Sequence, residues 1–327
     1  MRPFRYERAT DAATAVALLG HDRSARFLGG GTNLVDLMRL GVETPGMLVD
    51  VRELAGADVT PTSAGGLAIG GAVPNSDLAA HPLVRERAPL LASALLHGAS
   101  GQLRNRATTA GNLLQRTRCA YFQDPTMPCN KRRPGSGCPA IEGEHRNLAI
   151  LGWSEHCVAT HPSDMAVALA ALDALVHVEG RAGTRTLSLD DLYRLPGTTP
   201  DRDTELSHDD LITAVELPPA PAGAWRYAKV RERASFSFAV VAVAAVLEMA
   251  DGAVRDVRIA LGGVAHRPWR ARTAEQLLLG GSATSERFAE AAAAELAQAR
   301  PLRCNGHKVP LAEHLIAATL TDLAEAA

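Results

Sequence analysis

The chain has 327 residues, enough for two or three domains with cores of their own. Its 34 Lys and Arg nearly balance 36 Asp and Glu, which argues against a nucleic-acid-binding protein, because such proteins carry a basic excess. The longest apolar run, 238–247, is too short to span a bilayer, and the first residues contain no apolar signal core. We therefore expect a cytoplasmic protein without membrane insertion.

The N-terminal two thirds of the chain alternate short helical and strand patterns, which predicts two α/β units. The first unit is predicted to contain helices at 11–19, capped by Thr10 or Asp11, and at 32–39, and strands at 25–28 and 47–50. For the second unit, the patterns predict a strand at 66–69, helices at 75–80 and 83–98, a strand at 156–160 leading into a helix at 163–171, and a hairpin of 175–179 with 185–189.

A proline-rich segment at 217–223 is the best linker candidate, and an α+β unit is predicted to follow it. The segment 239–249 is apolar enough for a buried strand, although its alanines also allow a helix. Asp251-Gly252 is a strong hairpin turn, and 254–261 would be the return strand. Three further helices are predicted at 273–279, 284–299 and 310–325.

Three glycines lie between a predicted strand and a predicted helix, in the stretch Leu28-Gly29-Gly30-Gly31-Thr32-Asn33-Leu34. Glycine lets a ligand approach the backbone, and successive amide groups at a helix start can bind an anion. The spacing matches neither the nicotinamide fingerprint nor the P-loop. A plain glycine-rich connection with a capped helix remains the alternative.

A second segment of small and polar residues supports the prediction of a phosphate site. Thr108-Thr109-Ala110-Gly111-Asn112-Leu113-Leu114 again offers hydroxyls, a glycine and an amide. Two such loops could hold a pyrophosphate from two sides. The acid that follows Ser163, Asp164, stands at a predicted helix start, where it could accept from ribose hydroxyls or serve as a plain cap.

Four cysteines, Cys119, Cys129, Cys138 and Cys157, crowd the middle of the chain with the spacing C-x9-C-x8-C-x18-C. This spacing is too open for a zinc ribbon, and four soft sulfur ligands without paired histidines favour an iron–sulfur cluster. Prolines and glycines predict an irregular loop there, and its basic side chains would offset the cluster's negative charge. Zinc, disulfides and free thiols remain alternatives.

Four motifs carry a resemblance to a known family. GGGTNLVDLMR, TTAGNLLQRTRC, HPSDMAVAL and KVRERASFSFA occur in this order, and together they resemble the FAD-binding subunit of molybdenum hydroxylases, the xanthine dehydrogenase and aldehyde oxidoreductase family. The resemblance runs from about residue 3 to 325. It implies an α+β chain with a two-subdomain FAD-binding fold of vanillyl-alcohol-oxidase type at 1–57 and 58–222, and a small α+β C-terminal domain at 223–327.

The cysteine loop, 115–158, is similar to an insertion found in three-subunit enzymes that carry an extra [4Fe-4S] cluster in the flavin subunit. These include aldehyde oxidoreductases and 4-hydroxybenzoyl-CoA reductases, and GNLLQRTRCAYFQD looks most like the former. The resemblance implies a [4Fe-4S] cluster on Cys119, Cys129, Cys138 and Cys157. Cys304 has no counterpart in the motif and is expected to be structural.

The resemblance also implies FAD-binding residues. These are Leu28, Gly29, Gly30, Gly31, Thr32, Asn33, Leu34, Thr108, Thr109, Gly111, Asn112, Leu114, Ser163, Asp164, Ile212 and Lys229. Lys229 would approach the polar edge of the flavin, where a cation stabilises the anionic reduced form. The alternative for Lys229 is a solvated lysine at a charged strand end. No catalytic residue is expected, because substrate is oxidised on a partner subunit in such enzymes.

The implied assembly is a heterotrimer with a molybdenum-cofactor large subunit and a [2Fe-2S] small subunit, from which FAD passes electrons to an external acceptor. Export with a signal-bearing partner would place the chain in the periplasm. The alternatives are a xanthine dehydrogenase-like or 4-hydroxybenzoyl-CoA reductase-like subunit, or a stand-alone flavin oxidoreductase using His161 or His97. The polar stretch 197–208 is expected to be a partner contact or a mobile loop.

Overall fold

The structure, a computed structural model, describes residues 1–54 and 56–326. The strands are β1 (Arg5–Arg8), β2 (Ala25–Leu28), β3 (Met47–Asp50), β4 (Val59–Pro61), β5 (Leu67–Gly70), β6 (Leu175–Gly180), β7 (Gly183–Ser188), β8 (Leu211–Leu217), β9 (Ala224–Val230), β10 (Val241–Ala250), β11 (Ala253–Gly262) and β12 (Trp269–Arg270). The helices are α1 (Ala12–His21), α2 (Leu34–Leu40), α3 (Asn75–Ala80), α4 (Pro82–Arg87), α5 (Pro89–His97), α6 (Gly101–Arg104), α7 (Thr109–Leu113), α8 (Ala120–Gln123), α9 (Asp164–Ala171), α10 (Leu189–Leu192), α11 (Arg272–Leu278), α12 (Ser285–Leu296) and α13 (Lys308–Ala326).

The N-terminal sheet is parallel, in the order β1-β3-β2, and α1 packs on it. Asp11 is the predicted cap of α1: its carboxylate accepts the backbone N–H of Thr14 at 2.7 Å. Because β2 leads directly into the glycine loop and α2 follows, this small sheet positions the first candidate site segment.

The second sheet is antiparallel, in the order β4-β5-β8-β6-β7, and its core is shared with α3, α5 and α9. The single helix predicted at 83–98 is wrong, because Pro89 starts a new helix after α4 ends. Proline has no N–H to donate to the preceding turn and is favoured at the first position of a helix.

The third sheet has the order β12-β11-β10-β9, with α11, α12 and α13 on one face and α9 towards the other. β10 is a strand, not the alternative helix, and residues 241–247 are buried on both sides of it. Asp251 and Gly252 both have positive φ, 53° and 77°, as the predicted tight hairpin requires. The fold is therefore α+β, as predicted, whereas the boundaries after 57 and 222 stay predictions.

The cysteine loop, 115–158, is irregular apart from the single turn α8. The strand predicted at 156–160 is wrong: the backbone there makes only an isolated bridge between Ser154 and Cys157. Among the described residues, no helix is long and apolar enough to cross a membrane.

Candidate functional site

The two segments of small residues meet at van der Waals distance. A Cβ on Gly30 would lie 1.7 Å from the carbonyl oxygen of Arg106, and one on Gly29 would lie 2.8 Å from Thr108 Oγ1. Gly31 has a φ of +76°, which an L side chain rarely adopts. Only glycine therefore lets the loop after β2 pack against the segment that begins α7.

The glycine loop forms one wall of a cavity of about 550 Å³, within the usual size range of small-molecule sites. Thr108, Gly111, Leu114 and Ile212 also line this cavity. Residues of the polar stretch 197–208 close a further side. Six predicted FAD residues do not line this cavity: Leu28, Thr109, Asn112, Ser163, Asp164 and Lys229. The Thr109 hydroxyl donates to the carbonyl of Val73 at 3.0 Å instead.

A second cavity, of about 680 Å³, adjoins the first and is lined by Asn75, Asn112, Ser163 and Asp164. The two cavities share five lining residues: Thr32, Asn33, Gly111, Gln115 and His161. An elongated ligand with two halves and a narrow middle fits this shape. The shared residues, at the waist, include the glycine-loop positions predicted to bind the pyrophosphate.

Asn33 supplies an unused donor at this waist. Its Oδ1 accepts the backbone N–H of Arg116 at 2.9 Å, while its buried Nδ2 has no hydrogen-bond partner. Asn33 starts α2 but makes no side-chain capping bond. A buried donor left unpaired costs free energy, so a ligand acceptor here would be stabilising.

The amide of Asn112 is already occupied by protein groups. Its Oδ1 accepts from Ser163 Oγ at 2.6 Å and from Gln115 Nε2 at 2.9 Å, and its Nδ2 donates to Asn75 at 3.3 Å. Ser163 caps α9 by accepting the N–H of Ala166. These side chains therefore lock the second cavity's wall and leave little free hydrogen-bonding capacity.

Asp164 is held by two buried partners. Lys229 Nζ donates to its Oδ2 at 2.8 Å and to the carbonyl of His97 at 3.0 Å, and Tyr227 Oη donates to Oδ1 at 2.6 Å. Lys229 is 1% exposed and lines neither cavity, whereas Asp164 lines the second. In this arrangement the lysine reaches the cavity wall only through the carboxylate that it positions.

His161 is a packed, neutral imidazole. Burial lowers its pKa to about 4. Nε2 donates to the carbonyl of Leu113 and Nδ1 accepts the N–H of Ser163. Because both ring nitrogens of His161 are bonded to the backbone, the ring has a structural role at the waist and is not available as a free base.

The four loop cysteines line one small cavity together with Phe122, Lys131 and Ala140. All five cysteines are free, so the disulfide alternative is not what the structure contains. Among the described residues, no three His, Cys, Asp or Glu side chains are arranged to hold one metal ion. The four sulfurs therefore face one cavity of about 10 Å³, room for about one water molecule.

Two of the four cysteines, Cys119 and Cys157, are costly to ionise in this structure. Burial raises the pKa of Cys119 to about 11. A hydrogen bond with Cys138, together with burial, raises the pKa of Cys157 to about 11, and the same bond lowers that of Cys138. Metal or cluster ligation replaces these protons with a positive core, which suits buried thiols in an apolar surrounding.

Sequence reasoning missed the residue that joins the two sites, Asp203. Its Oδ1 accepts from Lys131 Nζ at 2.5 Å, and its Oδ2 lies 2.6 Å from Arg116 Nε. The polar character of 197–208 was the only available signal, and it does not identify a partner. Asp203 lines the first cavity and Lys131 lines the cysteine cavity.

Two family models cover almost the whole chain. Residues 2–220 match the FAD binding domain in molybdopterin dehydrogenase, and residues 225–322 match the CO dehydrogenase flavoprotein C-terminal domain.

Curated proteins and solved structures agree with these matches. The chain is 50% identical over 326 residues to the aldehyde oxidoreductase FAD-binding subunit PaoB of Escherichia coli K12, covering 98% of each chain. It is 27% identical to the carbon monoxide dehydrogenase medium chain of Hydrogenophaga pseudoflava, covering 91% of this chain and 88% of that one. A solved structure of carbon monoxide dehydrogenase from H. pseudoflava superimposes with a TM-score of 0.77, at 26% identity, over 100% of this chain and 99% of the other.

Proposed function

This chain belongs to the family of FAD-binding subunits of molybdenum hydroxylases and is an oxidoreductase subunit, and from that premise we propose that it is the FAD and [4Fe-4S] electron-transfer subunit of a heterotrimeric molybdenum-dependent aldehyde oxidoreductase. The observation that carries the aldehyde branch is the 50% identity to PaoB over nearly the full length of both chains. The partners in this proposal are a molybdenum-cofactor large subunit, a [2Fe-2S] small subunit and an external electron acceptor.

The two adjoining cavities support the proposed FAD site. In the proposal, the backbone of the glycine loop and Thr108 hold the pyrophosphate at the waist, and the unpaired Asn33 Nδ2 donates to it. Bound FAD can exchange electrons singly or in pairs, which suits a subunit placed between iron–sulfur carriers and an acceptor. Asp164, positioned by Lys229 and Tyr227, contributes a fixed carboxylate to the second cavity.

The proposed [4Fe-4S] site is supported by the cysteine cavity. The four cysteines line one small cavity, and four soft sulfur ligands without a paired histidine are typical of an iron–sulfur cluster. The cluster is proposed to be structural or a side branch in electron transfer. We keep the cytoplasm as the proposed location and export with a signal-bearing partner as the alternative.

The experiment that tests the proposal is an anaerobic visible and EPR spectrum of the purified protein, before and after dithionite, with iron, sulfide and flavin assayed on the same sample. We expect one FAD, about four irons and about four sulfides per chain, with an EPR signal on reduction. FAD without iron, or with zinc, would contradict the cluster and leave the flavin assignment standing. Absence of FAD would contradict the central claim.

Matched cysteine variants sharpen this test. Cys129→Ser should lose the iron and the EPR signal, because a thiolate ligand is removed. Cys304→Ser should keep both, since Cys304 does not line the cavity that the other four cysteines share. Equal iron loss in both variants would contradict the proposed ligand set.

A further inference from the structure

The Lys131–Asp203 ion pair joins the cysteine cavity to the first flavin cavity, because Lys131 lines one and Asp203 lines the other. Lys131 follows Cys129 by two residues, and its side chain is 2% exposed. Besides Asp203, its amine donates to the carbonyl of Pro200 at 2.7 Å. A single side chain from the cysteine loop therefore holds two points of the segment 200–203, which forms part of the flavin-cavity wall.

Asp203 is also held from the side of the first cavity, by Arg116. Arg116 contacts the second carboxylate oxygen of Asp203, and Arg116 Nη1 donates to Glu43 at 2.9 Å. Its backbone N–H donates to Asn33 in the glycine loop, and its guanidinium lies 4.9 Å from the Phe122 ring centroid. Asp203, Arg116, Glu43 and Asn33 all line the first cavity, so a shift of Asp203 reaches the glycine loop through one residue.

The position of Lys131 depends on the order of an irregular loop. Within 115–158 only α8 is regular, so the loop backbone is held by local bonds, such as that from Asn130 N–H to the Gly137 carbonyl at 2.9 Å, and not by a sheet or a long helix. Ligation by metal or cluster is coupled to folding where a site is not preformed in the unligated chain. A buried amine also needs its carboxylate, so Lys131 and Asp203 are expected to move together.

From this geometry we propose that the Lys131–Asp203 pair couples FAD binding to the state of the cysteine loop, so that the chain binds FAD tightly only when the loop is ordered. By linkage, FAD must stabilise the ordered loop by the same factor. The coupling would make cofactor loading sequential, with the loop organised before the flavin is retained. The part of this inference that concerns iron rests on the proposed [4Fe-4S] site.

The test measures the FAD dissociation constant by flavin fluorescence on the full chain, with any partner subunits that accompany it, after FAD is removed and titrated back. The variants are Lys131→Met, Asp203→Asn and the double variant. We expect each single variant to weaken FAD binding about tenfold, within the usual range of coupling between sites. The double variant should bind FAD at least as tightly as the single variant that binds it less tightly. Circular dichroism checks that each variant is folded.

The matched control is a second ion pair close to this segment, between Arg194 and Glu205. Arg194 and Glu205 contact each other at the surface, and neither contacts the cysteine loop through its side chain. Glu205→Gln should change the FAD dissociation constant less than about twofold, because exposed pairs contribute little. An effect of Asp203→Asn no larger than that of Glu205→Gln, or single effects that simply add in the double variant, would overturn the coupling.

A second readout separates this inference from the cluster assignment. The rate of iron release to a chelator is measured with and without FAD. We expect FAD to slow the release several-fold in the wild type and not in Asp203→Asn. Iron-free wild-type protein would contradict the cluster, while the FAD titrations would still decide the coupling. Iron release that FAD slows equally in both proteins would overturn the role of Asp203.

Discussion

Two buried lysines hold opposite edges of the cysteine loop, and their charges are met in different ways. Lys131, on the flavin side, donates to the carboxylate of Asp203 and to one carbonyl. Lys308, at the start of α13, is fully buried and donates to the carbonyls of Asn147, Leu148 and Gly263. Among the described residues, Lys308 has no acidic partner within ion-pair distance.

The difference separates an edge where the lysine is ion-paired, here called the charged edge, from one where the lysine bonds only carbonyls, here called the carbonyl edge. At the flavin edge, the ion pair continues through Arg116 and Glu43 along the cavity wall. At the other edge, Lys308 and Asn305 join the loop to the C-terminal unit through backbone carbonyls, and burial lowers the pKa of Lys308 to about 7. The first arrangement can transmit a change to the first cavity, whereas the second attaches the loop to the C-terminal unit.

Removal of the carboxylate at the flavin edge should have the largest effect. Asp203→Ala leaves the amine of Lys131 buried without its partner, which should lower the free energy of unfolding by about 3 kcal/mol. Denaturation in urea measures this loss. The control is Asp201→Ala, an exposed acid on the same segment, which should change stability by less than about 0.5 kcal/mol. Equal effects of the two variants would show that the pair is not a stabilising link.

At the carbonyl edge, the titration of Lys308 should make the stability of the chain depend on pH. The pKa of Lys308 is about 7 in the folded chain and near 10.5 when unfolded, so between these values only the unfolded state binds the proton. The stability of the wild type should therefore rise with pH from about 7 upward, relative to Lys308→Met, by at most about 1.4 kcal/mol per pH unit. Below pH 7 the difference should be constant. Melting temperatures of both proteins from pH 6 to 9 measure this, and parallel curves would contradict it.

Asn305 tests the same edge without a titratable group. It is fully buried; its Nδ2 donates to the carbonyl of Ala149 at 3.1 Å and its Oδ1 accepts from Leu302 N at 2.6 Å. Asn305→Ala leaves these groups unpaired, which should cost about 1–2 kcal/mol at every pH between 6 and 9. The FAD dissociation constant should stay within about twofold of the wild type, because the residue lines neither cavity. If Asn305→Ala lost as much FAD affinity as Asp203→Asn, both edges would affect FAD binding and the contrast between them would be wrong.

Features that depend only on neighbouring residues could be predicted from the sequence. The glycine loop, the Asp11 cap and the Asp251-Gly252 turn follow from local rules on φ and hydrogen bonding, and the structure contains them. The break at Pro89 was equally local and was overlooked. The four cysteines could be grouped by chemistry before their shared cavity was visible.

The connections between sites could not be predicted in this way. Lys131 and Asp203 are 72 positions apart, and Asn33 and Arg116 are 83 positions apart. Each of these pairs joins irregular segments in which neither helical nor strand periodicity predicts the direction of a side chain. The strand wrongly predicted at 156–160 has the same origin, since an apolar run beside a cluster of cysteines packs around the cavity instead of pairing in a sheet.

The smallest expected effect lies at the outer end of the charged edge. Glu43 is 18% exposed and Arg116 is 23% exposed, so water and salt screen their pair more than they screen Lys131. Glu43→Gln should therefore cost about 0.5–1 kcal/mol at low ionic strength, and most of that cost should disappear in high salt. The loss in Asp203→Ala should persist in high salt, because a buried amine cannot recruit a counter-ion without being exposed. Urea denaturation of both variants at low and high salt compares the two responses. A salt-insensitive Glu43→Gln would mean that the charged edge is buried along its whole length, and that its coupling to the glycine loop extends to Glu43.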